Sequence, residues 1–294
     1  MKDQTIAVAI STLDRPEGLR RCLEALLDGF VLPDQIIVVD QGDGGPTERL
    51  LGGLGRRTPS IAHLRQPHRG LSASRNAAFA AASSDIVAVT DDDCAPDAGW
   101  IAEIRRAFGA SDAPDAVCGR VLPLGPAEPG RVAVSSRRSE VRREFTGDAL
   151  PWAVGTGANF AARRELVRAV GGYDERLGVG SGGGAGEDLD IIRRLLRSGA
   201  RIRYEPGVLV RHERQSLDRR RATRTSYGHG AGACFALWLR ERDPFALRAL
   251  AAWLALRLRL LAVGAARRDR RAVHEEFLVL AGTVAGLAYG LRPR

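Results

Sequence analysis

The sequence predicts an α/β protein, a mostly parallel sheet flanked by helices, with a C-terminal helical extension. Three observations predict it. Short apolar, β-branched runs alternate with helical patterns through about the first 210 of 294 residues, as in a parallel sheet covered on both faces. Polar residues close those runs, at the strand ends where open sheets of this class bind ligands. After Arg214 the alternation stops, and long, arginine-studded helical segments follow.

Taken in order, TIAVAIST (5–12) reads as a buried strand. In the helix that follows, Asp14 is a candidate cap and Pro16 suits the first turn. Leu19, Leu23, Leu26 and Leu27 share a face, and Gly29 stops it. QIIVVD (35–40) is a second strand ending on Asp40, and a weaker element lies around SIAHLRQ. LSASRNAAFAAAS (71–83) reads as a helix, DIVAVT as a strand, Asp97 to Phe108 as a helix and DAVCGRV (115–121) as a strand. Residues 122–150, rich in Pro, Gly and Arg, read as an irregular connection with a short helix at 136–145. A glycine-rich strand and turn then lead to a helix at about 163–170. A further helix runs from Glu187 to Ser198, and two short strands end at His212.

In the tail, residues 244–266 are strongly helical, with Arg248, Arg257 and Arg259 interrupting the apolar residues. FLVLAGTVAGLAYGL (277–291) carries no charge, but its 15 residues fall short of the roughly 20 that a spanning helix needs. An interfacial or packed helix pair is expected. The net charge of +9 is one-sided: residues 1–210 hold 27 Arg and Lys against 28 Asp and Glu, and residues 211–294 hold 17 against 7. Such a tail suits an anionic partner, membrane or nucleic acid. RRRATR (219–224) fits phosphate contacts, yet few aromatics are interleaved with the arginines. The apolar helices suit lipid better, so no nucleic acid is expected. Cys22, Cys94, Cys118 and Cys234 lie far apart without a CxxC, so neither a zinc knuckle nor a disulfide framework is suggested. With no basic segment leading an apolar run at the N-terminus, the expected location is cytoplasmic, at the inner face of the membrane.

The chemistry concentrates in DIVAVTDDDCAPDAGW (85–100), where an apolar run ends on Asp91, Asp92 and Asp93. Adjacent carboxylates repel and are costly to bury alone. A solvated turn is the plain alternative. The apolar strand before the triplet, and the polar ends at Ser11-Thr12 and Asp40, favour a hard cation, which prefers carboxylate oxygen. Asp91 and Asp93, two apart, can face one side, with Asp92 directed elsewhere.

Six ordered pieces carry a resemblance: VAIST; QIIVVDQGD; RGLSASRNAAFAAASSDIVAVTDDD; GTGANFAARRELVRAVGGYDERL; GEDLDIIRRLLRSGARIRYEP; and VLVRH. Together, over about residues 5–212, they resemble family 2 glycosyltransferases of the GT-A fold. The resemblance implies a metal-dependent, inverting transfer from a nucleotide-sugar (UDP-, GDP- or dTDP-sugar) to an acceptor hydroxyl. It implies a catalytic domain over 1–214, with a donor half at about 1–121 and an acceptor half at about 151–214. Residues 215–294 lie outside the resemblance as a basic extension. By the resemblance, Thr12 and Asp40 contact the nucleoside and Arg75 lies beside the donor pocket. Asp91, Asp92 and Asp93 form the DxD motif, with Asp91 and Asp93 holding Mn2+ or Mg2+ and Asp92 touching the ribose. Asp188 is the general base, and His212 is an additional metal ligand. One departure stands out: the second strand ends in Asp40-Gln41-Gly42-Asp43 where the family has an acidic pair and Gly-Ser, which leaves the nucleobase open.

Each assignment has a plainer counterpart. Glu187, Asp188 and Asp190 are also ordinary acids of a first helical turn, the reading preferred for Asp190. Arg75 can simply pair with a neighbouring carboxylate, and His212 can merely end a strand. GVGSGG (178–183) fits GxGxxG formally but follows no opening strand, so it reads as a flexible loop before the base. No GxxxxGK[ST] and no HExxH occur. A nucleotidyltransferase would need an early phosphate loop, for which STLDRPEG, with Arg15 alone, is poor. The C-terminal helices stay open between membrane, a homodimer interface and packing on the catalytic domain.

Overall fold

A computed structural model of the chain describes residues 4–54 and 59–292. Its strands are β1 (Ile6–Thr12), β2 (Gln35–Asp40), β3 (Ser60–Arg65), β4 (Ile86–Asp91), β5 (Cys94–Pro96), β6 (Ala116–Pro123), β7 (Arg131–Val132), β8 (Arg143–Phe145), β9 (Asn159–Arg163), β10 (Ile202–His212) and β11 (Gln215–Ser216). Its helices are α1 (Pro16–Leu27), α2 (Gly45–Gly53), α3 (Leu71–Ala81), α4 (Trp100–Gly109), α5 (Pro151–Val154), α6 (Arg164–Ala169), α7 (Glu187–Arg197), α8 (Leu217–Arg240), α9 (Phe245–Ala266) and α10 (Arg270–Leu291). Among the described residues one large sheet has the order β3-β2-β1-β4-β9-β6-β10-β5, with β8 on β10. β3, β2, β1 and β4 are parallel, as are β6 and β10, whereas β9, β5 and β8 are antiparallel insertions.

Each apolar run became a strand because both sheet faces are covered. Ile6, Val8 and Ile10 point to one face with Leu19, Leu23 and Leu26 of α1 and Ile101, Ile104 and Phe108 of α4. Ala7, Ala9, Ile37 and Val39 point to the other, with Phe79 of α3 and Ile191, Ile192 and Leu195 of α7. Period-2 alternation is therefore invisible in these strands, as expected for a sheet buried twice. A third core joins Leu177 and Leu189 to Phe235 and Trp238 of α8 and to Trp253 of α9.

Three local expectations are corrected. Asp14 does not cap α1: Arg15 holds the cap position without a side-chain bond, and Asp14, at φ 52, accepts from the Asp43 amide (2.9 Å). No helix forms at 136–145. The open edge of β10 takes its last three residues as β8, pairing Ile202 with Phe145, and Arg137 bridges to Val121; edge pairing outweighs a weak helical preference. The two strands expected before His212 are one, because an irregularity between Glu205 and Leu209 absorbs Pro206, Gly207 and Val208.

Candidate active site

The triplet is a bridge between two parts of the sheet. β4 lies between β1 and β9, placing Asp91 opposite Ser11. The turn at Asp92-Asp93 then carries the chain to β5, which runs antiparallel to the end of β10 and sets Cys94 opposite His212. Asp93 Oδ1 thereby comes within 3.4 Å of His212 Nε2. One potential ligand atom from each of Asp91, Asp93, Cys94 and His212 falls within 4.8 Å of the others. His212 Nδ1 lies 2.8 Å from the Glu213 carbonyl, which can only accept. Nδ1 therefore carries a proton, which leaves Nε2, facing Asp93, as the ring's only possible ligand atom. Burial and the nearby aspartates push the Cys94 thiol up, and its soft sulfur suits a hard cation less than carboxylate oxygen does. The remaining two carboxylates and one imidazole suit Mn2+ or Mg2+.

The rest of the triplet is held by Thr12, a candidate from the sequence, and by Arg15 and Arg219, whose partners the sequence does not indicate. Arg15 Nη1 donates to Asp92 Oδ1 (2.8 Å) and Asp93 Oδ2 (3.0 Å), and Arg219 of α8 stands 3.8 Å from Asp93 Oδ2. Thr12 Oγ1 donates to Asp92 Oδ2 (2.8 Å). Burial raises Asp92 to about 7 against the pull of Arg15. Burial acts the same way on Asp93, but His212, Arg15 and Arg219 outweigh it and hold that carboxyl low. Gly18 lets α1 approach, since a Cβ there would sit 2.9 Å from the Asp92 carbonyl oxygen.

These residues face a cavity of about 470 Å³, a size that suits a small-molecule ligand. Thr12, Gln41, Asp91, Asp92, Asp93 and His212 line its sheet side; Thr223, Ser226 and Tyr227 of α8 form the opposite wall with Arg219. Asp40 lies behind this lining: it is 1% exposed, its Oδ1 accepts from the Gly42 amide (2.8 Å) and its Oδ2 is 3.4 Å from His63 Nε2. Gln41 takes the frontal place, bonded to the backbone of Arg69 and Gly70. The 178–186 loop closes one side: the Leu71 amide donates to Val179 O (2.9 Å), and His229 Nε2 meets Gly182 O (3.0 Å).

Arg75 also lies behind the lining, 2% exposed. Its Nη1 donates to Glu187 Oε1 (3.0 Å) and its Nη2 to Asp91 Oδ1 (3.2 Å) and Gly157 O (3.4 Å). The Gly157 amide in turn donates to Asp188 Oδ2 (3.2 Å). One buried guanidinium thus ties a carboxylate of the triplet to the first turn of α7. Gly157 permits it, because a Cβ there would fall 2.7 Å from Arg75 Nη1. Burial pushes Glu187 to about 7 against the pull of Arg75. Asp188 is half-buried; it follows Ala185 of the lining by three residues without lining the cavity itself, and its Oδ1 accepts from the Leu189 amide (2.8 Å). Asp190 is occupied structurally, accepting from Arg194 and from Trp238 Nε1 (2.9 Å).

The family model described as glycosyl transferase family 2 matches residues 7–171. A pre-mycofactocin glycosyltransferase of Mycobacterium tuberculosis is 29% identical over 85% of this chain and 52% of its own length, so the chain spans about half the length of that relative. A glucosyl-dolichyl phosphate glucuronosyltransferase of Haloferax volcanii is 22% identical over 71% of this chain and 68% of its own. A mannosyltransferase of Pyrobaculum calidifontis, solved with GDP-Man and Mn2+, superposes with a TM-score of 0.65 at 19% identity, covering 98% of this chain and 88% of that one. At that identity the likeness is one of fold.

Proposed function

The chain belongs to glycosyl transferase family 2, and from that premise we propose that it is a metal-dependent, inverting glycosyltransferase that moves a sugar from a nucleotide-sugar to an acceptor hydroxyl. The observation that carries this is the convergence of Asp91, Asp93 and His212 on one point at the cavity floor. Asp91, Asp93 and His212 Nε2 would hold Mn2+ or Mg2+. Bound there, the cation supplies positive charge to the departing diphosphate. Arg219, on the opposite wall, adds a mobile positive charge at the same end of the cavity. Thr12 and Asp92 are joined to one another and offer the ribose a polar floor. Gln41 stands where a nucleobase would be read, with Asp40 fixing its loop from behind. Arg75 acts from behind as well, setting Asp91 against α7.

Asp188 is the proposed general base. The acceptor oxygen bonds to the anomeric carbon, the bond from that carbon to the diphosphate oxygen breaks, and the hydroxyl proton passes to Asp188. Attack opposite the leaving group inverts the centre. A lipid-linked or membrane-adjacent acceptor fits the basic, apolar C-terminal helices, and the dolichyl phosphate named in the Haloferax relative is of that kind. Contact with the inner face of a membrane belongs to the same reading. A thermal-shift panel of UDP-, GDP- and dTDP-sugars with and without Mn2+ tests it. One donor class should raise Tm by several degrees only with the metal; no stabilisation by any donor contradicts it.

A further inference from the structure

Two arginine runs far apart in sequence meet at one end of the molecule. α10 runs parallel to α8, and glycines let their backbones touch: Gly228 faces Val279, Gly232 faces Thr283 and Gly286 faces His229. Arg220 and Arg224 of α8 pair with Glu275 and Glu276 of α10. α9 returns antiparallel, with Trp253 Nε1 on Thr283 Oγ1 (3.0 Å) and Arg257 on Glu276 (3.3 Å). The start of α8, the end of α9 and the start of α10 therefore share one end. Arg219, on the cavity wall, is there. So is the turn containing Arg267, Arg268 and Arg270, all exposed.

That end is unusual in two respects. Arg259, Arg267, Arg268 and Arg270 have no carboxylate partner among the described residues, whereas Arg220, Arg224, Arg257 and Arg271 do. Large apolar side chains stand among them in the open: Leu258 is 56% exposed and Phe277 66%. A cleft of about 510 Å³ between the helices is lined by Arg268, Arg270, His274 and Phe277. α9 is long and apolar enough to cross a membrane by length and composition, yet only 17% of its most apolar window is buried. Arg257 is fixed to Glu276 and lies 4.1 Å over the Trp253 ring, so the inner face of α9 is held by protein and only its outer face is free. An apolar strip ringed by unpaired guanidiniums is the pattern of a helix lying in a lipid interface. A second copy docking here would set like charges against each other.

We propose that this end of the helical trio docks on an anionic phospholipid bilayer. Leu258, Val263 and Phe277 enter the headgroup boundary, Arg259, Arg267, Arg268 and Arg270 meet lipid phosphates, and the cavity mouth at Arg219 is held towards the bilayer. The inference rests on the membrane-adjacent acceptor of the reading above and names the surface that serves it.

Co-sedimentation of the full chain with phosphatidylcholine vesicles, with and without phosphatidylglycerol, tests it. Binding should need phosphatidylglycerol and weaken as salt rises. R267E/R268E/R270E should lower the partition coefficient on the order of 100-fold or more, and R267K/R268K/R270K should keep it. Those side chains are exposed and unpaired, so packing is untouched and an unchanged melting curve is expected. Phe277→Ala should leave binding weaker and more salt-sensitive. Equal binding to neutral vesicles, no binding at low salt, or wild-type binding by the glutamate variant overturns the proposal. So does a dimer in light scattering that the glutamate variant dissociates. Donor stabilisation with Mn2+, measured without vesicles in wild type and variants, reports on the transferase reading alone and should not change.

Discussion

Two runs of adjacent acids are tied together by Arg75, Asp91 to Asp93 at the end of β4, which line the cavity, and Glu187-Asp188 at the start of α7, and the protein neutralises them in different ways. Asp92 and Asp93 of the first are met by Arg15, 29% exposed in its side chain, and by Arg219, 52% exposed, while Asp91 shares Arg75 with the second. Those two guanidiniums are open to solvent. The second is met by Arg75, whose side chain is 2% exposed and which is bonded on three sides. That charge cannot leave without stranding Glu187. The difference teaches how one charge pattern serves two purposes. Exposed partners leave an acidic cluster able to take up a metal, while a buried partner turns an acidic pair into a fixed support for its outer member.

Removing a member of each run should therefore do different things. Asp93→Ala has the largest expected effect, a fall in turnover of about 10³-fold or more with the melting curve nearly unchanged, seen by comparing activity and melting side by side. Turnover that stays metal-dependent in this variant removes Asp93 from the metal site.

Arg75→Ala should act on the fold. Leaving Glu187 buried and unpaired costs about 3–5 kcal/mol, measured by denaturant unfolding, and Arg75→Ala/Glu187→Gln should recover part of it. Two separately additive losses would break the assignment of the pair. Glu187 also fixes a pH dependence. Its folded value of about 7 lies above the ordinary 4.5, so the folded chain binds an extra proton between them. That contribution is fully present below about 4.5 and is lost as pH rises through 7. Glu187→Gln should flatten this part of the profile of Tm against pH.

Asp188→Asn comes next, with turnover down about 10²-fold and donor binding near normal. Collapse of donor binding with turnover retained would make Asp188 a donor ligand.

The strand ends were legible because apolar runs stop abruptly on Thr12, Asp40 and Asp91. The direction of a side chain at a strand end was not. Asp40 turns back onto the Gly42 amide, a turn set by loop geometry that sequence spacing does not encode. Arg15 looked like a poor phosphate loop because its partners, Asp92 and Asp93, lie nearly 80 residues on. The cavity wall on α8 was hidden for another reason. Residues 217–240 show no amphipathic stripe, since their contacts with α10 run through glycine and backbone rather than large apolar side chains.

That hidden packing carries the smallest of these predictions. Gly286→Ala puts a Cβ into the His229 carbonyl, so α8 and α10 must part, at about 1–3 kcal/mol. Donor affinity should fall with stability, because Thr223, Ser226 and Tyr227 line the cavity. A stability loss with donor affinity intact would mean that the α8 wall does not touch the donor.

The central claim is that Asp91, Asp93 and His212 form a metal site for a nucleotide diphosphate. Calorimetric titration of UDP, GDP and dTDP into the wild type with Mn2+, into the wild type with EDTA, and into Asp93→Ala with Mn2+ tests it most directly. At least one nucleotide should bind in the first titration, and that binding should be lost in the other two. Equal affinity in all three would contradict it.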